Sequence, residues 1–162
     1  MATQEQATKL ALGSTFLGLL VGFSGLVHRR GAEVQLRPFD LAQLGLATYR
    51  TGRLVAYERV AAPIREPFTE TIADASGTGD AVVATGKGWR WAFGELMSCP
   101  VCIGTWVAAG LVYGLHLAPV PTRVYLAIMS STGVAQILSD TTEALSWTAR
   151  ASRKEAAPVE GV

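Results

Sequence analysis

The chain has 162 residues, of which 49% are hydrophobic and 17% are charged, and its formal net charge is +1. Soluble domains usually carry about a quarter charged residues, so this composition, with a mean hydropathy of +0.29, favours a membrane protein. The nearly balanced charge gives no reason to propose nucleic acid as a partner, and two cysteines are too few for a disulfide-rich scaffold.

The first apolar run is residues 10–27, LALGSTFLGLLVGFSGLV, which contains no charged residue. Its length lies at the lower limit for crossing a bilayer core about 30 Å thick. A signal peptide is the alternative interpretation, because Lys9 precedes the run. The run is long for a signal peptide, and the basic HRR that follows is unlike a small-residue cleavage site. We therefore predict a membrane helix here.

Residues 39–57, FDLAQLGLATYRTGRLVAY, have leucine spacings compatible with a helix, but Arg50 and Arg53 lie in the later half. Two alternatives remain open for this segment. It is either a transmembrane span whose arginines reach the interface, or an amphipathic helix lying on the membrane surface.

Residues 58–98 are the only substantial polar segment, and we predict that they form a loop. Within it, GTG and GKG flank DAVVAT, which could be one strand of a hairpin. The glycines are interpreted as turns, because the context of a nucleotide-binding motif is missing. The aromatic residues of GWRWAF are typical of a membrane interface.

Two further apolar helices are predicted over residues 101–118 and 123–145, joined by PVPTR, whose prolines would end a continuous helix. The predicted fold class is an all-α integral membrane protein with three or four transmembrane helices. We expect an N-terminal helix and basic connector (1–38), a membrane domain (39–147) and a polar, disordered tail (148–162).

Basic residues decide the orientation, because they concentrate on the cytoplasmic side of membrane proteins. Nine of the 14 Lys and Arg lie between Arg29 and Arg90, and Arg150, Arg153 and Lys154 follow the last helix. Whether or not 39–57 spans, the loop 58–98 and the C-terminus are predicted to be cytoplasmic. The side of the N-terminus depends on that segment. Cytoplasmic cysteines would be kept reduced, so a permanent disulfide is not expected.

Several stretches resemble a family of small bacterial membrane proteins, catalogued as domain of unknown function thirteen-sixty. The resemblance covers about residues 39–145 and is most specific in Gly94-Glu95-Leu96, Cys99-Pro100-Val101-Cys102, Gly104 and Trp106. It implies an integral protein of the bacterial inner membrane and implies no activity.

The cysteines are predicted to sit at the start of a helix. Pro100 suits the first helical position, which makes Cys99 the cap and Cys102 the third residue. Both sulfurs would lie by the positive end of the helix dipole, which favours thiolates. Three hypotheses stand: structural thiols, a redox pair, or a metal site. Structural zinc needs four ligands, so Cys99 and Cys102 would need a second chain to complete a metal site.

His116 lies too far along the same helix to join Cys102 at a metal, and an axial contact to haem or a pigment is its alternative role. No cofactor can be named from the sequence, and none need exist. Small residues on two helices indicate close helix packing; they are Gly18, Gly22, Gly104, Ala108, Gly110 and Gly114.

The resulting functional hypothesis is a non-enzymatic small subunit that packs in, or stabilises, a larger membrane assembly. Its partners would be the bilayer and other membrane subunits or further copies of the chain. The alternatives are a cytoplasmic-face metal or thiol-redox protein using the two cysteines, and a pigment- or haem-binding subunit using His116.

Overall fold

The computed structural model describes residues 2–29, 35–73 and 80–156. It is mostly helical. The helices are α1 (Ala2–Arg29), α2 (Pro38–Tyr57), α3 (Ala62–Arg65), α4 (Trp89–Ser98), α5 (Pro100–Leu117) and α6 (Pro119–Ala156), with a short 3₁₀ turn (Arg59–Ala61) before α3. The two strands are β1 (Thr69–Ala73) and β2 (Asp80–Ala84).

Helix α2, the segment that the sequence left ambiguous, is the central element of the bundle. It packs against both α5 and α6, and its buried residues Leu44 and Ala47 form the core with Leu111 and Leu126. The hydroxyls of Thr51 and Tyr125 lie 2.8 Å apart and link α2 to α6 by a hydrogen bond. The buried residues of α2 recur mostly every three or four positions, which is the spacing of one helix face.

The directions of the helices follow from their contacts. Gly52 lies against Pro100 and Thr48 against Gly104, so α2 runs antiparallel to α5. Helix α1 runs in the direction opposite to α2. Its Phe16 ring packs 5.0 Å from Trp106 and its Phe23 ring 4.0 Å from Tyr113, measured between centroids, so α1 is parallel to α5.

The polar segment 58–98 is more ordered than the predicted loop. Strands β1 and β2 pair antiparallel from Thr69–Ala84 to Ala73–Asp80, which agrees with the hairpin suggested by DAVVAT and corrects the all-α prediction. Helix α4 was not predicted. Its buried Gly94 contacts the Phe68 carbonyl oxygen and Ala84, so the absence of a side chain there lets α4 pack directly on the hairpin.

The turn between α5 and α6 also differs from the prediction. PVPTR is the first part of α6 instead of a linker, and the chain bends at Ala118. Prolines are tolerated in a first helical turn because its N–H groups have no intrahelical acceptor. The Thr122 N–H and hydroxyl both donate to the Ala118 carbonyl, at 3.3 and 2.8 Å, and so start the helix.

Helix α6 continues through Ala156, so residues 148–156 are helical where the sequence favoured a disordered tail. Alanines and long charged side chains in this stretch are good helix formers. Residues 157–162 lie outside the described part of the chain.

Two helices in the described residues are long and apolar enough to cross a membrane. They are Gln6–Arg29, with a mean hydropathy of 1.9, and Pro100–Leu117, with a mean hydropathy of 1.4. This finding agrees, by length and composition, with the predicted helices 10–27 and 101–118. It does not establish the predicted total of three or four spans.

Candidate functional site

The two cysteines form the turn that begins α5. Cys99 is the N-cap, Pro100 is the first helical residue, and the Cys99 sulfur accepts a hydrogen bond from the Cys102 N–H at 3.2 Å. This is the capping geometry that the proline position predicted. The two sulfurs are bonded to each other, with a Cα–Cα distance of 5.2 Å, whereas the sequence favoured reduced thiols.

The cysteine turn is fixed by close contact with α2. A Cβ atom added to Gly52 would lie 2.6 Å from the Pro100 carbonyl oxygen, and one added to Gly104 would lie 3.4 Å from the Thr48 methyl group. Real Cβ atoms almost never approach a backbone oxygen as closely as 2.6 Å. Only glycine at position 52 therefore allows the two backbones to meet at this point.

The two sulfur-bearing residues differ in accessibility. Cys102 is exposed on the helix surface, whereas Cys99 is half-buried between the end of α4 and the start of α5. A nucleophile in the solvent therefore reaches the Cys102 sulfur before the Cys99 sulfur.

A groove of about 590 Å³ runs between α2 and α5 beside this turn. Its walls are mainly apolar; they comprise Gly45, Thr48, Tyr49, Arg53, Tyr57, Pro100, Val101, Gly104, Thr105 and Ala108. The Arg53 guanidinium lies 5.8 Å from the ring centroid of Tyr49 and 5.9 Å from that of Tyr57. Its neighbour Arg50 is ion-paired with Glu58. The polar end of the groove is thus the end near the cysteines.

The Gly-Glu-Leu stretch connects the cysteine turn to two other elements. Gly94 holds α4 on the hairpin, as described above. The Glu95 carboxylate lies 3.8 Å from the Lys9 ammonium, which also sits 4.8 Å from the centroid of the Trp91 ring. These contacts attach the start of α1 to α4, directly before the cysteines.

Arg65 is a structural residue that the sequence analysis missed. Its side chain is 5% exposed, and its guanidinium donates to the carbonyl oxygens of Val55 at 3.0 Å and Glu58 at 3.3 Å. Those carbonyls belong to the C-terminal end of α2, where a cation is favourable. The contact arises because the 3₁₀ turn and α3 fold the chain back. A basic residue in IREPF was the only available signal.

His116 lies near the end of α5 and is half-buried. Its Nδ1 is 2.8 Å from the Val112 carbonyl oxygen, and since that oxygen only accepts, Nδ1 carries the proton. The ring centroids of His116 and Phe23 are 5.9 Å apart in an edge-on arrangement. A packing role between α1 and α5 accounts for these contacts, and the haem or pigment hypothesis remains a prediction.

Within the residues that the structure describes, no three His, Cys, Asp or Glu side chains are grouped closely enough to hold a metal ion. The hypothesis that Cys99 and Cys102 bind a metal with ligands from a second chain remains a prediction.

The predicted packing residues fall into two groups. Gly104 and Gly114 contact other residues of the chain, the latter because an added Cβ would lie 2.6 Å from the Thr122 hydroxyl oxygen; Ala108 lines the groove. At Gly18, Gly22 and Gly110, by contrast, an added Cβ would meet no atom of the described residues within 4 Å.

Residues 43–142 match the family described as "Protein of unknown function (DUF1360)". The chain belongs to this family. The match to DUF1360 runs from α2 through the hairpin, α4, the cysteine turn and α5 into α6, and it leaves α1 outside. It confirms the resemblance found in the sequence.

The chain is also similar to "Sporulation protein YjcA" of Bacillus subtilis (strain 168). The two are 31% identical over 98 residues, which is 59% of this chain and 83% of the relative. No solved structure matches the DUF1360 chain described here.

Proposed function

We propose that this chain is a non-enzymatic subunit of the bacterial inner membrane, with four spans, that packs against another membrane protein through the outward face of α1. Helix directions support the four spans. Helices α1 and α5, the two most apolar, are parallel, so both would cross the bilayer in the same direction. The chain between them must then cross back once.

Helix α2 is suited to that return crossing. It runs antiparallel to α5, and its 20 residues span about 30 Å. Because Gly52 lies against Pro100, the neighbouring Arg53 lies level with the start of α5, where an arginine can reach the interface. This favours the spanning alternative for residues 39–57 over a surface helix.

The return from α5 is made by α6, whose 38 residues extend about 57 Å and exceed the bilayer core. Its far end carries the exposed Arg150 and Arg153. Basic residues favour the cytoplasm, so the N-terminus, the hairpin, α4 and the end of α6 are assigned there. This assignment puts Arg29, Arg30, Arg37 and Arg123 outside.

The observation that carries the proposed function is that α1 has two opposite faces. At 3.6 residues per turn, Phe16 and Phe23 share the face that packs on α5, while Gly18 and Gly22 lie about 200° and about 240° around the helix from Phe16. Ser14 and Gly25 share that outward side, and all four small residues are exposed. In the part of the chain that the structure describes, the aromatic face packs on α5 and the small-residue face has no neighbour.

Small residues four apart let two membrane helices approach closely, and lipid tails gain nothing from such a face. Within the described residues nothing fills the space above Gly18, Gly22 or Gly25. A transmembrane helix of another subunit fits this surface.

The test is purification of the tagged chain from its native membrane in mild detergent. We expect a second membrane protein to co-purify, and Gly22→Leu to abolish its recovery because the side chain blocks close approach. Gly13→Leu is the matched control, because it makes the same change on the same helix. Gly13 also has open space beside it, but it lies about 60° around the helix from Phe16, whereas Gly22 lies on the opposite side. Recovery of the chain alone, recovery of only its own copies, or equal effects of both variants would contradict the proposal.

A further inference from the structure

The fold does not need the Cys99–Cys102 disulfide to hold this turn in place. The disulfide closes a loop of four residues within one helical turn, and the turn is already held by Pro100, the Cys99 cap and the contact with Gly52. A cross-link over so short a loop removes little freedom from the unfolded chain. In the cytoplasm, moreover, disulfides that form are usually transient and serve catalysis or redox sensing.

We propose that Cys99 and Cys102 are a reversible dithiol–disulfide couple that exchanges electrons with other thiols at the cytoplasmic membrane surface. This chemistry does not depend on the subunit role of α1, but its cytoplasmic location rests on the orientation proposed above. It depends on the accessibility of one sulfur and on the stabilisation of the other.

The geometry assigns different roles to the two cysteines. Cys102 is exposed, so its sulfur is the one that an incoming thiolate reaches. Cys99 is then the leaving group. As a thiolate it is stabilised by the Cys102 N–H at 3.2 Å and by the positive end of the 18-residue helix α5.

The turn also keeps the sulfurs close after reduction. Pro100 fixes the first backbone angle of the helix, and the Pro100 carbonyl rests on Gly52 of α2. Because this backbone contact leaves no room for displacement toward α2, reduction separates the sulfurs without unfolding the turn. The reduced pair is therefore positioned to close again.

The exchange balances with a dithiol as the reductant. One thiolate of the dithiol attacks the Cys102 sulfur, a mixed disulfide forms, and the Cys99–Cys102 bond breaks with its electron pair on Cys99. The second thiolate of the dithiol then attacks the mixed disulfide and releases Cys102. The dithiol becomes a disulfide, and its two protons end on Cys99 and Cys102. The reverse sequence oxidises the protein.

The first experiment equilibrates the full-length protein in detergent with defined ratios of reduced and oxidised dithiothreitol, then alkylates free thiols with a maleimide that shifts gel mobility. We expect a single reversible transition between no labels and two, since the chain has two cysteines. Failure to reoxidise, or thiols that stay blocked by stoichiometric bound zinc in the reduced protein, would overturn the proposal.

The second experiment separates the roles of the two sulfurs. Cys99→Ser keeps a good helix cap and leaves the exposed Cys102, so we expect it to accumulate mixed disulfides in acid-quenched cells. Cys102→Ser leaves only the half-buried Cys99, and we expect the loss of those adducts. Comparable adducts in both variants, or none in either, would contradict the assigned roles.

The mass of the adduct identifies the natural thiol. A glutathione-sized adduct on Cys99→Ser supports exchange with the small-thiol pool, and a protein-sized adduct supports a protein dithiol. Incubation of purified Cys99→Ser with glutathione disulfide is the matched reaction in vitro. Both variants are first checked for normal membrane insertion and thermal stability, so that misfolding cannot imitate the loss of an adduct.

Discussion

Helices α1 and α2 are both long enough to cross a membrane, yet the bundle uses them in opposite ways. In α1, which contains the more apolar of the two candidate spans, only 6% of the best membrane-spanning window is buried within the chain. Helix α2 carries Arg50 and Arg53 and nevertheless lies at the centre, with buried residues along its length. The apolar side chains of α1 thus face outward from the bundle, whereas α2 meets its neighbours through Thr48, Thr51 and Gly52.

The largest expected effect tests whether α2 spans the bilayer as α1 does. In a cysteine-free background (Cys99→Ser, Cys102→Ser), Ala32→Cys falls between the two helices in the sequence and Lys87→Cys falls before α4. We expect a membrane-impermeant maleimide to label position 32 in intact spheroplasts and position 87 only after permeabilisation. If both positions label only after permeabilisation, α2 does not cross.

Gly52 provides the sharpest test of the central position of α2. We expect Gly52→Ala to lower the free energy of unfolding by about 3 kcal/mol, because the new methyl group must displace the Pro100 carbonyl. Gly45→Ala on the same helix meets no described atom within 4 Å and should stabilise the protein by up to about 1 kcal/mol through helix propensity. Thermal unfolding in detergent measures both, and shifts of the same sign would be inconsistent with the close crossing.

Arg65 tests how the end of α2 is held. We expect Arg65→Met to cost about 2 kcal/mol, because the carbonyls of Val55 and Glu58 lose their buried donor. Arg59→Met removes an exposed arginine from the same segment and should change stability by less than about 0.5 kcal/mol. Denaturant titration in mixed micelles makes the comparison. Equal costs would show that loss of charge, and not the cap, is responsible.

The smallest effect concerns the attachment of α1. Phe23→Ala removes the ring contacts with Tyr113 and His116 and should cost about 1 kcal/mol. Leu17→Ala removes an exposed side chain and should leave the packing of α1 unchanged. Hydrogen exchange along α1 reports the difference: we expect faster exchange in Phe23→Ala alone, with α2 and α5 unaffected in both variants.

Features that depend on neighbouring residues were predictable from the sequence. Pro100 at the first helical position and Cys99 as the cap are local consequences of proline stereochemistry. The apolar helices α1 and α5 were found for the same reason, since length and hydropathy are local. The start of α6 was misplaced, at residue 123 instead of Pro119, because the rule that proline ends a helix does not apply in a first turn.

Features that depend on distant residues could not be predicted. The position of α2 is decided by Pro100 and Gly104, about 50 residues away, and Arg65 finds its carbonyl acceptors only after the chain reverses. Likewise, Gly104 and Gly22 are equivalent in sequence terms, but only the structure distinguishes the glycine with a neighbour inside the chain from the one without.

The position of α1 outside the matched family region has a consequence for symmetry across the bilayer. The matched residues 43–142 contain most of α2, all of α5 and part of α6. In the proposed arrangement these are three crossings, which would leave the two ends of the matched region in different compartments. A fourth crossing makes the number of crossings even, and an even number leaves both ends of a chain on the same side. In the proposed arrangement, α1 thus returns both termini to one compartment, so that anything joined to either end shares the solvent of the hairpin and the cysteines.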